Sequence, residues 1–164
     1  MLFRSDSDKK LAKGLESGAD ALIVDLEDSV ASEKKPAARV TAAEFLKSNI
    51  KTKDRPRLFV RVNAFATNLT DADLDAVMAS KPDGIVLPKA EGEATVTRLD
   101  KRLMANEKKF KIPEGHTQIV AIATETAAAL FRAGTYKGAS DRLTGLTWGA
   151  EDLSADLEIG RAHV

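Results

Sequence analysis

The sequence of 164 residues contains no cysteine. This absence excludes disulfide bonds, thiolate metal sites and cysteine nucleophiles, and it fits a reducing cytoplasm. The sequence also has no apolar run close to the roughly 20 residues of a membrane-spanning helix. Residues 1–7 contain no apolar core of the length found in signal peptides. We therefore expect a cytoplasmic protein that does not interact with membranes.

Charge of one sign is not in excess, because 25 lysines and arginines balance 25 aspartates and glutamates. The sequence therefore offers no broad basic surface, and we do not expect nucleic-acid binding. Glycine-rich phosphate loops are absent too, since neither Gly-x-Gly-x-x-Gly nor a Walker sequence occurs. The hydrophobic fraction of 43% and the charged fraction of 30% are those of an ordinary globular protein. The length suits one domain, and no internal linker divides it.

Five short apolar segments recur along the chain, and charged residues follow each of them closely. They alternate with segments of helical periodicity, which is typical of right-handed βαβ units in a parallel sheet. The predicted strands are residues 21–26, 57–62, 85–87, 118–123 and 143–148. An open doubly wound sheet is one possible architecture, but a barrel explains the charged strand ends more directly, because these ends converge on one mouth. Since eight βα units need about 200 to 250 residues, we predict an incomplete TIM (β/α)8 barrel of about five parallel strands.

Five sequence motifs mark the ends of these strands. They are Val24-Asp25-Leu26-Glu27-Asp28-Ser29-Val30, Phe59-Val60-Arg61-Val62-Asn63, Gly84-Ile85-Val86-Leu87-Pro88-Lys89, Ile122-Ala123-Thr124-Glu125-Thr126 and Gly149-Ala150-Glu151-Asp152-Leu153-Ser154. Together, in this order, they resemble the HpcH/HpaI aldolase and citrate lyase family, and most of all its CoA-ester lyase branch of citrate lyase beta-chain-like and malyl-CoA lyase-like proteins. The resemblance extends over residues 6–157, which we interpret as one partial TIM-barrel lyase domain. Members of the family are complete barrels, so the resemblance implies that the first strand and the last two or three are missing.

The two ends of the chain do not resemble the family. Residues 1–5 and 158–164 look like translated adapter DNA, and we expect them to be non-native. Ordinary variable termini are the alternative. On the first interpretation the chain is a truncated fragment of a longer parent.

Two acidic residues directly follow predicted strands and are candidate metal ligands. The second, Asp152, is expected on a turn that begins at Gly149. Glu125 and Asp152 would each present a carboxylate at the mouth, and Mg²⁺ typically takes one or two carboxylates and completes its shell with water and substrate oxygens. The alternative is that both residues stand at helix starts, where acidic side chains are favourable. The resemblance implies that the acids at these two positions hold the metal, Mg²⁺ or possibly Mn²⁺. Glu151 is the nearest rival ligand.

Four further charged residues at the strand ends are candidates for catalysis and substrate binding. Arg61 lies within an apolar strand, so its guanidinium needs an anionic partner. That partner is either a substrate carboxylate, which its planar fork suits, or a structural ion pair with Glu27, Asp28 or Glu125. Glu27 or Asp28 is expected to orient Arg61 or metal-bound water, with a plain structural role as the alternative. Lys89 is expected to bind substrate, with a Schiff-base nucleophile as the alternative.

The resemblance implies a divalent-metal-dependent carbon–carbon lyase. Its substrate would be a 3-hydroxyacyl-CoA of the citryl-CoA or malyl-CoA type, and its products a keto acid and an acyl-CoA. The metal and Arg61 would stabilise alkoxide and enolate charge. The alternatives are a Schiff-base aldolase using Lys89 and a catalytically inactive fragment of the lyase. The full-length parent is expected to be a homo-oligomer, a trimer or a hexamer.

Overall fold

The protein folds around one parallel β-sheet of six strands. The computed structural model describes residues 2–4 and 8–159, without the side chains of residues 2–4, 8–10, 12 and 150. The strands are β1 (Leu2–Arg4), β2 (Ala21–Asp25), β3 (Arg57–Arg61), β4 (Gly84–Leu87), β5 (Gln118–Ile122) and β6 (Leu143–Thr147). They lie in the order β1-β2-β3-β4-β5-β6, and every neighbouring pair is parallel. Sequential parallel order is that of a (β/α) barrel, whereas a doubly wound sheet reverses its order at a switch point.

A helix follows each strand. The helices are α1 (Asp8–Leu15), α2 (Lys35–Asn49), α3 (Thr70–Val77), α4 (Glu93–Phe110), α5 (Ala127–Arg132) and α6 (Ala150–Asp156). In α2, Pro36 stands in the first turn, where its missing N–H costs nothing. Ala38, Ala42 and Leu46 recur every four residues and form its buried face. No helix in the described part of the chain is long and apolar enough to cross a membrane.

The main apolar core lies between the sheet and its helices. A smaller apolar cluster of Phe59, Val86 and Ile122 covers the opposite face, which in a barrel is the interior. Gly84 makes this inner cluster possible, because a Cβ atom at this position would lie 2.3 Å from Cε1 of Phe59. The phenyl ring occupies the space that any larger residue would need. β6 is an edge strand. Leu146 within it is 52% exposed, and Trp148 just after it is 78% exposed.

The incomplete barrel and its five predicted strands are confirmed, with strand ends that agree to within about one residue. Two elements were not expected. Leu2–Arg4 pairs with β2 as an additional strand, although it lies in a segment expected to be non-native. Residues 150–156 form a helix, whereas a turn was expected after Gly149. The non-native origin of residues 1–5 and 158–164 stays a prediction, and residues 1, 5 and 160–164 lie outside the described part.

Candidate active site

The centre of the site is an ion pair between two neighbouring strand ends. Asp25 ends β2, Arg61 ends β3, and the register sets them directly opposite each other. Nε and Nη2 of Arg61 donate to the two carboxylate oxygens of Asp25 at 2.7 and 2.8 Å. The backbone N–H groups of Glu27 and Ser29 donate to the same carboxylate at 3.0 and 3.1 Å. Burial alone would raise the pKa of Asp25, but the hydrogen bond and charge of Arg61 lower it below its ordinary value, so this carboxylate stays ionised.

A second carboxylate connects Arg61 to Lys89. Oε2 of Glu27 lies 3.1 Å from Nη1 of Arg61, and Oε1 accepts a hydrogen bond of 3.1 Å from Nζ of Lys89. Glu27 is 5% exposed, and burial raises its pKa. Burial would lower the pKa of Lys89, but the carboxylate of Glu27 raises it above its ordinary value, so the ammonium stays charged. Asp28 is more peripheral, because its side chain is 57% exposed and lies 3.7 Å from Nη1 of Arg61.

The two predicted metal ligands are neighbours and form an acidic pair. Glu125 follows β5 and is 3% exposed, and Asp152 lies in the first turn of α6 and lines the same cavity as Glu125. The backbone N–H of Lys89 also donates to Glu125. Burial, together with the nearby carboxyl of Asp152, raises the pKa of Glu125 to about 7. Gly149 makes room for this arrangement, because a Cβ atom there would lie 2.5 Å from Cγ of Glu125.

Part of this site opens into a cavity of about 470 Å³ at the carboxyl ends of the strands. Arg61, Glu125 and Asp152 all line it, with the exposed ring of Trp148 beside them. Lys89 approaches the acidic pair, because its Nζ lies 3.4 Å from Oδ2 of Asp152. Anionic and cationic groups therefore lie together at one open cavity, which is an arrangement that can bind and polarise a small anionic ligand.

The acidic pair fits a divalent cation. Two carboxyl groups that face one cavity repel each other unless they share a proton or a cation, and burial strengthens this repulsion. Within the described residues, no set of three or more histidine or acidic side chains converges closely enough to hold a metal ion. A cation between Glu125 and Asp152 would therefore have two protein carboxylates and open coordination positions, which Mg²⁺ accepts.

Most of the residues predicted from sequence come together, and one important residue was missed. Arg61 was expected to pair with Glu27, Asp28 or Glu125 if its role was structural, but its bidentate partner is Asp25. Alternation along the strand placed Asp25 on the same face as Glu27, which was the available signal. Glu125 does not cap α5, because Oγ1 of Thr126 accepts the capping hydrogen bond from the N–H of Ala129.

Sheet order and site together define the class of this protein: a partial parallel (β/α) barrel with acidic and basic side chains that line a cavity at the carboxyl ends of its strands. The chain belongs to the HpcH/HpaI aldolase/citrate lyase family, whose sequence model matches residues 1–164.

Three relatives illustrate the similarity. The citrate lyase subunit beta of Leuconostoc mesenteroides subsp. cremoris is 35% identical over 146 residues, which are 88% of this chain and 47% of that protein. A (3S)-malyl-CoA thioesterase of Cereibacter sphaeroides is 34% identical over 148 residues, 89% of this chain and 45% of that protein. The citrate lyase beta subunit of Mycobacterium tuberculosis, solved with oxaloacetate and magnesium, superposes with a TM-score of 0.72 at 32% identity, covering 96% of this chain and 60% of that one. The chain thus spans about half the length of the curated relatives it matches.

Proposed function

We propose that the protein carries the metal- and keto-acid-binding part of a carbon–carbon lyase that cleaves a 3-hydroxyacyl-CoA, of the citryl-CoA or malyl-CoA type, to a keto acid and an acyl-CoA. The observation that carries this proposal is that Glu125 and Asp152 line one cavity together with Arg61. The relative solved with oxaloacetate and magnesium supports the choice of ligands, since that protein shares the family and the fold.

In this proposal Glu125 and Asp152 hold Mg²⁺, or Mn²⁺ in its place. A bound divalent ion supplies Lewis-acid polarisation of a carbonyl. Arg61 faces the same cavity and steadies the negative charge that develops on the substrate oxygen. Its bidentate bond to Asp25 leaves Nη1 directed toward Glu27 and Asp28, so the guanidinium is held in one orientation before substrate arrives.

Glu27 and Lys89 have supporting roles in the proposal. The carboxylate of Glu27 lies between the two cations and fixes their separation. Lys89 contributes positive charge beside Asp152, which favours binding of a keto-acid carboxylate. The exposed side chain of Asp28 lies at the cavity wall, where it can contact substrate or ordered water. A full-length homo-oligomer remains a prediction of the resemblance.

The Schiff-base alternative is less well supported. A lysine nucleophile needs a neutral amine, and the enzymes that use one lower its pKa by desolvation or by a second cation. Lys89 has the opposite environment, because two carboxylates lie within 3.4 Å of its Nζ and its pKa is raised. Borohydride added with oxaloacetate is therefore expected to leave no adduct on Lys89 by mass spectrometry, and an adduct there would favour the aldolase.

The proposal can be tested by calorimetric titration of oxaloacetate in the presence and absence of magnesium. Glu125→Gln and Asp152→Asn should each abolish magnesium-dependent binding, with a loss in affinity of more than about 100-fold. Glu151→Gln is the matched control, because this acid is the exposed neighbour in the same helix turn and should keep wild-type binding. Unchanged binding in the first two variants would refute the metal site. Binding without cleavage of malyl-CoA or citryl-CoA would favour the inactive-fragment alternative.

A further inference from the structure

Lys35 lies outside the cavity described above, yet it binds the backbone of the site. Its Nζ donates to the carbonyl oxygens of Leu26 and Glu27, both at 2.9 Å, and to Oδ1 of Asn63 at 2.6 Å. An ammonium has three donors and no acceptor, so all three of its hydrogen bonds are used. Lys35 is therefore fully engaged within the protein and is not available as a direct substrate ligand.

The residues that Lys35 binds connect two strand ends. Leu26 and Glu27 lie just beyond β2, and Asn63 lies two residues beyond the end of β3 at Arg61. Asn63 is 1% exposed, and its Nδ2 donates to the carbonyl oxygen of Leu26 at 2.9 Å. Lys35 and Asn63 thus extend the pairing of these strands past the last β-ladder bonds, into the segment that carries Glu27.

A buried carboxylate holds Asn63 in turn. Oδ2 of Asp73 accepts hydrogen bonds of 2.7 Å from both the backbone N–H and the Nδ2 of Asn63, and Asp73 is fully buried. Its other oxygen accepts a hydrogen bond of 2.7 Å from Nε of Arg39. Because Arg39 and Lys35 both belong to α2, one helix anchors the loop after β2 and the loop after β3 together.

The contacts of the Glu27 side chain leave one of its carboxylate oxygens without a hydrogen bond. Oε2 of Glu27 is buried and lies 3.1 Å from Nη1 of Arg61, but it makes no hydrogen bond of acceptable geometry. Its other oxygen is held by Lys89, whose side chain is 38% exposed. The position of the carboxylate between the two cations therefore also depends on the backbone of residue 27, which Lys35 holds by its carbonyl oxygen.

We infer that Lys35 is a positioning residue, which acts with Asn63 through the backbone of Glu27 to hold that carboxylate between Arg61 and Lys89. This inference rests on the proposed function, since the purpose of the arrangement is to orient the cations that receive the keto acid. Glu125 follows β5 and Asp152 lies in α6, whereas Lys35 holds the segment that follows β2.

The test compares Lys35→Met with Lys34→Met, which removes an exposed lysine from the adjacent position. Lys35→Met should weaken magnesium-dependent binding of oxaloacetate about tenfold while leaving magnesium affinity unchanged. Lys34→Met should change neither. A role in overall stability alone would lower both affinities together, so an equal loss in both, or no loss in either, would overturn the inference. Lys35→Gln keeps two of the donors and should show a smaller loss of the same kind. It provides the test if Lys35→Met does not fold.

A measurement without ligand separates this inference from the proposed function. The Nε–H signal of Arg61 in a ¹H–¹⁵N spectrum, assigned by its loss in Arg61→Lys, reports the surroundings of the guanidinium. In Lys35→Met this signal should move, because the carboxylate of Glu27 leaves Nη1, and in Lys34→Met it should not. If wild-type protein binds no oxaloacetate, the proposed function fails while this spectrum still decides the role of Lys35. An unmoved signal would refute that role.

Discussion

Replacing Gly149 with alanine perturbs the acidic pair by a single methyl group. A Cβ atom at Gly149 would lie 2.5 Å from Cγ and 3.2 Å from Cδ of Glu125. Carbon atoms in contact normally stay about 3.5–4.0 Å apart, so the two residues must separate by about 1 Å. The backbone of Gly149, with φ −114° and ψ 100°, is allowed for alanine, so the steric contact is the whole perturbation.

The structure leaves Glu125 little room to escape this contact. It is 3% exposed, and its carboxyl group accepts a hydrogen bond from the backbone N–H of Lys89. Overpacking of this kind costs about 1–3 kcal/mol of stability. A ligand displaced by about 1 Å should lower magnesium affinity about 100-fold.

Calorimetric titration with magnesium, together with thermal unfolding, measures both effects of Gly149→Ala. Gly145→Ala is the matched control, because it adds the same methyl group in β6 at a site where the nearest atom, Cγ2 of Val120, is 3.8 Å away. Gly145→Ala should therefore bind magnesium as the wild type does. Wild-type magnesium affinity in Gly149→Ala would refute the assignment of Glu125 as a ligand in its observed position.

Two further predictions concern buried ion pairs. Asp25→Asn removes the bidentate partner of Arg61 and should lower the free energy of unfolding, measured in urea, by about 3 kcal/mol. It should also weaken oxaloacetate binding. Glu107→Gln breaks the pair with Arg142, whose two 2.7 Å hydrogen bonds lower the pKa of Glu107 although burial raises it. A lowered native pKa means that the unfolded state binds a proton at a higher pH than the native state does. This stabilisation is therefore fully present above about 4.3, the ordinary pKa of glutamate, and is lost as the pH falls from there through the lowered native pKa. The stability difference between wild type and Glu107→Gln should therefore be about 3–5 kcal/mol at neutral pH and shrink in acid.

Exposed acids provide the controls for these two variants. Asp20→Asn and Glu114→Gln remove carboxylates at exposed positions near the same strands, and surface changes usually stay within about 0.5 kcal/mol. If Asp25→Asn were as stable as Asp20→Asn, the ion pair between Asp25 and Arg61 would make no net contribution to stability. A stability difference for Glu107→Gln that did not depend on pH would contradict the assigned ion pair.

The order and type of the main elements could be predicted from the sequence. Parallel strands covered on both faces appear as short continuous apolar runs, and these runs were visible at 21–26, 57–62, 85–87, 118–123 and 143–148. The strand at Leu2–Arg4 was missed because three residues carry too little periodicity to predict a strand. Helix α6 was missed because the glycine at its start was interpreted as the beginning of a turn.

The sequence by itself determined which charged residues reach the mouth, because a charge placed just after an apolar strand has to lie at the carboxyl end of the sheet. Only the tertiary structure decided how those charges pair. The register of β2 against β3 pairs Arg61 with Asp25, and the close approach of Gly149 to Glu125 leaves Glu125 and Asp152 lining the same cavity. Such choices depend on distances between segments far apart in the chain, which local patterns of apolar and charged residues do not contain.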